Sequence, residues 1–220
     1  IGDVMRTSLI VYPTNGRLPA FTDDAVIIRE RPALIITGGI GTDGPEDRGL
    51  SERCIMGFNS GPPLSPSLYN NNLQIFQNKD HVVIMTEMVH DARLIPLDGR
   101  PVLDEDIGLW SGDSRGYWDG DTLVIETRNF NGLTQSFAPA GTSDNKFLTE
   151  RLTRNSDDTI EYQYTVEDSQ AYTDKLTAII PLTKVAGLLY EYACHEGNYG
   201  MTNILRGARA EERRAAEGVE

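Results

Sequence analysis

The stretch "WSGDSRGYWDGDTLVIET", residues 110–127, decides how this chain folds, because it supports two incompatible readings. Gly112-Asp113-Ser114-Arg115-Gly116 satisfies the G-x-S-x-G pattern of a nucleophile elbow, and Asp168 and His195 follow in the Ser, Asp, His order of serine hydrolases. An elbow needs a buried strand before the serine and a helix after it. Here Trp118 and the turn-forming pair Asp119-Gly120 follow instead, and Asp-Gly between alternating apolar residues is a strong hairpin signal. Residues 115–118 therefore read as one arm of a β-hairpin and "DTLVIETRNF" (121–130) as the other. Ser114 becomes a polar residue feeding that hairpin, and the doubly wound parallel sheet of the hydrolase class is set aside.

Working outward, strand-like segments recur at regular intervals from residue 73 onward, with turn residues between them. They are "LQIFQ" (73–77), "HVVIMTEM" (81–88), "RLIPL" (93–97), the 121–130 arm, "FLTERLTRN" (147–155), "TIEYQYTVED" (159–168), "LTAIIPL" (176–182) and "LLYEYAC" (188–194). The alternation is clearest in 159–168, where Ile160, Tyr162, Tyr164 and Val166 share one face of a half-buried antiparallel strand. "NSDD" just before it predicts a hairpin turn onto 147–155. Residues 1–72 are rich in Gly, Pro, Asn and Asp around short apolar stretches such as "SLIVY" (8–12) and "ALIIT" (33–37), and read as an irregular wrap. Residues 198–220 read as a helix with Asn198 as N-cap and Met201, Ile204, Leu205 and Ala208 near one face. The expected fold is all-β: an antiparallel lipocalin-like barrel or curled sheet over 73–197, wrapped by 1–72 and ended by the helix, as one folding unit.

A length of 220 residues suffices to bury a core without metals, and no apolar run approaches the roughly 20 residues of a membrane span, so no membrane insertion is expected. Twenty basic against thirty-three acidic side chains give a net charge of −13, which opposes nucleic-acid partners. Cys54 and Cys194 lie too far apart for a zinc knuckle or a C-x-x-C redox pair, which leaves one long-range disulfide open. The sequence starts at Ile1 and reads as a processed or trimmed form of a longer protein.

Two further motifs fail on context. Gly39, Gly41 and Gly44 match G-x-G-x-x-G, but Pro45-Glu46-Asp47 follows with no helical apolar period, so a loop is expected there and not a nucleotide site. His195-Glu196 is half of H-E-x-x-H, with Tyr199 where the second histidine would stand. Neither a metal nor an organic cofactor is expected. Acid/base chemistry remains: "EMVHDARLIPLDGR" (87–100) gathers Glu87, His90, Asp91 and Arg93, and "ACHEGNYG" (193–200) gathers His195, Glu196 and Tyr199. Histidine exchanges protons near neutral pH, a carboxylate orients it, and arginine or tyrosine stabilises developing negative charge. Ion pairs and caps at strand ends account equally well for the same residues, and for His81 the structural role is the stronger reading. Trp110, Tyr117 and Trp118 surround the 112–116 segment; core filling is favoured, and the alternative is a stacking platform on which Asp113 and Arg115 help bind a ligand.

Taken together, "RTSLIV" with "NGRLP", "VHDARLIPLDGRP", the 110–127 stretch, "ERLTR" with "TIEYQYTVED", and "CHEGNYGMTNILRGARAEE" resemble a family of secreted bacterial proteins with no assigned activity. Its central motif commonly reads GDSRG-R-W-E-GDTLVV-x-T. Tyr117 stands where the family often has arginine and Asp119 where it often has glutamate, so a role requiring a cation at 117 does not carry over. The resemblance implies export to a secreted or periplasmic location, and with it a Cys54–Cys194 disulfide.

The leading functional expectation is a secreted, cofactor-independent lyase, isomerase or hydrolase acting on a small molecule or oligosaccharide. His90 or His195 would be its acid/base, Asp91 or Glu196 would orient the ring, and Arg93 or Arg115 would hold an anion. The alternative is a non-catalytic periplasmic ligand-binding or carrier protein, with a serine hydrolase through Ser114 and a structural envelope component ranking lower. An enzyme would place a histidine beside a carboxylate in a pocket; a carrier would show a cavity without convergent ionisable groups.

Overall fold

The computed structural model describes residues 6–25, 41–131 and 144–218. Its strands are β1 (Ile10–Tyr12), β2 (Leu73–Gln77), β3 (His81–Thr86), β4 (Ala92–Pro96), β5 (Asp113–Asp119), β6 (Thr122–Arg128), β7 (Phe147–Ser156), β8 (Thr159–Glu167) and β9 (Leu176–Thr183), followed by helix α1 (Tyr199–Glu217). Every pairing between these strands is antiparallel. They form a six-stranded sheet in the order β1-β9-β8-β7-β6-β5 and a three-stranded sheet in the order β2-β3-β4. Among the described residues no ladder closes either sheet on itself, so the architecture is mostly antiparallel β with a C-terminal helix, and the larger sheet is open.

Side-chain alternation packs the two sheets face to face. Val82, Ile84 and Ile95 of the small sheet meet Leu123, Ile125, Leu148, Tyr162 and Val166 of the large one in a single buried cluster. The approach is tightest where β4 lies against β5. A Cβ on Gly116 would come within 2.7 Å of Leu97 Cδ2 and 2.8 Å of Ile95 Cγ2, so a residue without a side chain lets the two strands meet.

The 110–127 stretch is a hairpin, with Ser114 opposite Thr127 and Trp118 opposite Leu123. Its two turn residues are Gly120 and Asp121, one position later than the Asp119-Gly120 expectation. Gly120 carries φ 59°, the positive value that the first central residue of a type II′ turn requires. The 159–168 alternation is observed as read, with Tyr162, Tyr164 and Val166 buried.

Two expectations change. "LLYEYAC" is not a strand: the edge of β9 that it would need is taken by β1, from the "SLIVY" part of the N-terminal wrap. The segment instead runs without a ladder, leaving Leu188 78% and Tyr190 72% exposed, to the Cys54–Cys194 disulfide, whose Cα atoms lie 5.6 Å apart. Helix α1 begins after Asn198, whose side chain accepts from Met201 N, but no residue of it is buried. Its Arg209 donates to the carbonyls of Thr42 and Asp43. "ALIIT" and Gly39 lie outside the described residues, while Gly44 caps a short 3-10 turn, Pro45–Asp47.

Two glycines with similar backbone angles test this packing account. Gly112 (φ 68°) would place a Cβ 2.6 Å from Thr127 Cγ2 and 2.8 Å from Arg128 O, whereas Gly99 (φ 71°) faces open space. Gly112→Ala is expected to lose roughly 2–4 kcal/mol in urea unfolding and Gly99→Ala about 1 kcal/mol, from backbone strain only. Equal losses would contradict the close approach.

Candidate functional site

Among the described residues, the most heavily buried ion pair joins the two sheets. Arg93 of β4 points into the core with Ile84 beside it in register, and donates from both terminal nitrogens to Glu150 of β7, at 2.6 and 2.9 Å. Glu150 has no exposed surface. Tyr162 OH donates to Glu150 Oε1 (2.7 Å) and accepts from the backbone N–H of Leu64 (3.0 Å), which ties the N-terminal wrap to the same group. Burial opposes the Arg93 charge, and the adjacent Glu150 carboxylate more than offsets it, holding the guanidinium above its usual range. Burial and then Glu150 push the Tyr162 phenol well above its ordinary value, so it stays a neutral donor. Arg93 was expected on a substrate anion; its terminal nitrogens are committed to Glu150.

Lys146 lies on the same inner face, one residue before β7. Its Nζ is buried without a hydrogen-bond partner, 3.8 Å from the centroid of the Phe130 ring. Burial lowers this amine to about 8, against the opposing pull of Asp168 and Glu150. Sequence reasoning passed over Glu150 and Lys146, although the signal was present: both share the parity of Leu148 and Leu152, the apolar face of "KFLTERL".

The residues of the 112–116 motif have architectural partners. Ser114 is buried inside β5, with its Oγ 2.9 Å from Thr127 Oγ1 across the hairpin, and no strand-to-helix turn adjoins it. Asp113 binds Arg115 and also accepts from Leu103 N at 2.8 Å. Arg115 donates onward to the carbonyls of Arg100 and Pro101. The pair thus clamps the loop before β5. Trp110 is half-buried, and Trp118 and Tyr117 are 47% and 49% exposed.

The acid/base candidates gather around the disulfide. Cys54, Met88 and Val89 form a small apolar cluster with Phe58, Tyr192 and Cys194. His90 is exposed on its edge, with Nδ1 3.1 Å from Tyr192 O. Asp91 caps the same turn, and burial raises its carboxyl. His195, Glu196 and Tyr199 are all exposed, and Asn198 anchors their segment by donating to Glu52 O at 2.8 Å. His81 opens β3 opposite Pro96. The disulfide therefore holds the two histidine-bearing segments at one end of the molecule.

A cavity of about 870 Å³ lies elsewhere, where β2 faces β8 and β9 on the side away from the tight β4–β5 corner. Its floor is aliphatic, from Leu73, Ile75, Ile160, Ile180 and Leu182, with Tyr162 at its inner end. Asn70, Asn71 and Asn72 line one part of its wall, and residues 184–189, the start of the strap that runs to Cys194, line another. None of the histidines borders it. Among the described residues no group of His, Cys, Asp and Glu is arranged to hold a metal, and no helix is long and apolar enough to cross a membrane. The chain matches no protein-family model and no curated protein.

The Lys146 environment gives a pH prediction. An unfolded lysine titrates near 10.5 and the folded one near 8, so between those values the unfolded state binds more protons and this group makes stability rise with pH. Below pH 8 its burial cost is felt in full. Urea unfolding of wild type and Lys146→Met at pH 7 and pH 10 should show the difference moving in favour of wild type at the higher pH; parallel profiles would contradict it.

Proposed function

We propose that this chain is an exported binding protein that carries a small molecule in the cavity between its sheets. The observation that carries the reading is the cavity itself. Its volume falls in the range of small-molecule sites, its floor is aliphatic, its wall is partly polar, and no histidine–carboxylate pair converges on it. The acid/base reading places its chemistry at His90 and His195, which stand outside this cavity and draw no support from it.

We read the two sheets as the halves of an unclosed lipocalin-like barrel, with the ligand entering on the open side. The secreted or periplasmic location follows from the same proposal. A Cys54–Cys194 disulfide is compatible with an oxidising compartment, and it anchors the far end of the strap that lines the cavity.

Titration with the neutral fluorescent probe N-phenylnaphthylamine tests the reading. Saturable binding with one site per chain is expected, and Leu182→Asp, at a half-buried floor position that also packs against the core, should weaken it at least tenfold at a temperature where circular dichroism shows the variant folded. Binding that fails to saturate, or that ignores this substitution, would contradict it.

A further inference from the structure

We infer that the cavity's ligand is a short, extended peptide with apolar side chains at alternate positions, which pairs as an added strand with the free edge of β2. This rests on the binding reading and names the ligand class of the same cavity.

The register of the small sheet fixes which way the backbone of β2 points. Thr86 N donates to Asp91 O on the β4 side, so the backbone of Met85, one residue away, turns toward β2 and its partner Gln74. The bonds from Glu87 N to Asn72 O and from Asn78 N to His81 O keep the same parity on either side. Residues 72, 74, 76 and 78 therefore face β3, and Leu73 and Ile75 turn their N–H and C=O groups outward. β2 ends its sheet, and among the described residues nothing pairs with that edge.

The cavity reaches this edge. Leu73 and Ile75 pack inward against the core and Gln74 between them has its side chain on the opposite face, yet all three line the cavity. A space bounded by consecutive residues of one strand runs along that strand's side. The other sheet edges are protected: β1 is three residues long and followed by Pro13, β4 ends in Pro96, and β5 carries Asp113, Arg115 and Asp119. β2, "LQIFQ", has neither a charge nor a proline. Its outward donor–acceptor pairs recur every second residue, about 7 Å apart, a spacing that another extended backbone reproduces. Side chains of the added strand that share the inward face of Leu73 and Ile75 meet the aliphatic floor of Ile160, Ile180 and Leu182, which selects apolar residues at alternate positions.

Displacement of N-phenylnaphthylamine by capped Thr-Leu-Thr-Leu-Thr peptides tests this with the protein unchanged in every arm. In an antiparallel pairing, the orientation of every strand pair in the two sheets, peptide residues whose side chains face inward also direct their N–H groups at β2. N-methylation of both leucines removes those donors and is expected to raise the concentration needed for displacement at least about tenfold. N-methylation of the threonines, whose N–H groups point away from β2, is expected to leave it nearly unchanged. Equal displacement by the two methylated peptides, or a loss confined to the threonine-methylated one, would overturn this pairing. If decanol displaces the probe and the unmodified peptide does not, the peptide class is wrong while the binding reading stands. If the probe itself finds no saturable site, the binding reading fails and this inference falls with it.

Discussion

The contact between Arg93 and Glu150 is the constraint on which the rest of the molecule depends. Two charges taken out of water are costly unless geometry is good and the remaining hydrogen-bonding capacity is filled. Here the guanidinium meets the carboxylate at two points, and Tyr162 completes the carboxylate while binding the backbone of Leu64. Removing one partner of such a pair typically costs about 3–5 kcal/mol, whereas replacing both with apolar groups is often neutral. The consequence is therefore one of register more than of net stability. A one-residue slip of β7 would turn Glu150 to the outer face and strand Arg93 in the core, so the pair fixes which faces meet. With the sheets pinned there and pressed together at Gly116, their divergence is left to the β2 side, where the cavity lies.

Strand identity was legible wherever alternation and turn chemistry agreed, as in 159–168 and in the hairpin at 120–121. It was misleading at 188–194, where the apolar pattern is strand-like but the neighbouring edge is occupied by β1, a competition between distant segments that periodicity does not report. Glu150 illustrates a different loss. Its face was readable from its parity with Leu148 and Leu152, yet an acidic residue in a strand is ordinarily assigned to the solvent side, and its partner lies 57 positions away. The histidines drew attention because of their chemistry. The cavity is built instead from Asn, Ile and Leu side chains, which carry no motif.

The 112–116 segment shows how a functional-looking pattern arises from architecture. Gly112 makes a tight passage past Thr127, Asp113 and Arg115 clamp the preceding loop, Ser114 bonds across the hairpin, and Gly116 admits β4. Each position has a packing or hydrogen-bonding reason to be the residue it is. The sequence stretch most suggestive of catalysis is thereby explained as a corner of the fold.

The central claim is that the open side between β2 and β8/β9 is the place where this protein meets its ligand. Methyl NMR of isoleucine-labelled protein during titration with N-phenylnaphthylamine tests it most directly, because the isoleucines report on separate regions. The account predicts saturable shifts at Ile75, Ile160 and Ile180, which line the cavity, with smaller changes at Ile84, Ile95 and Ile125 in the core. Shifts confined to the Ile55 methyl group, in the loop beside the disulfide, with the cavity isoleucines silent, would contradict it.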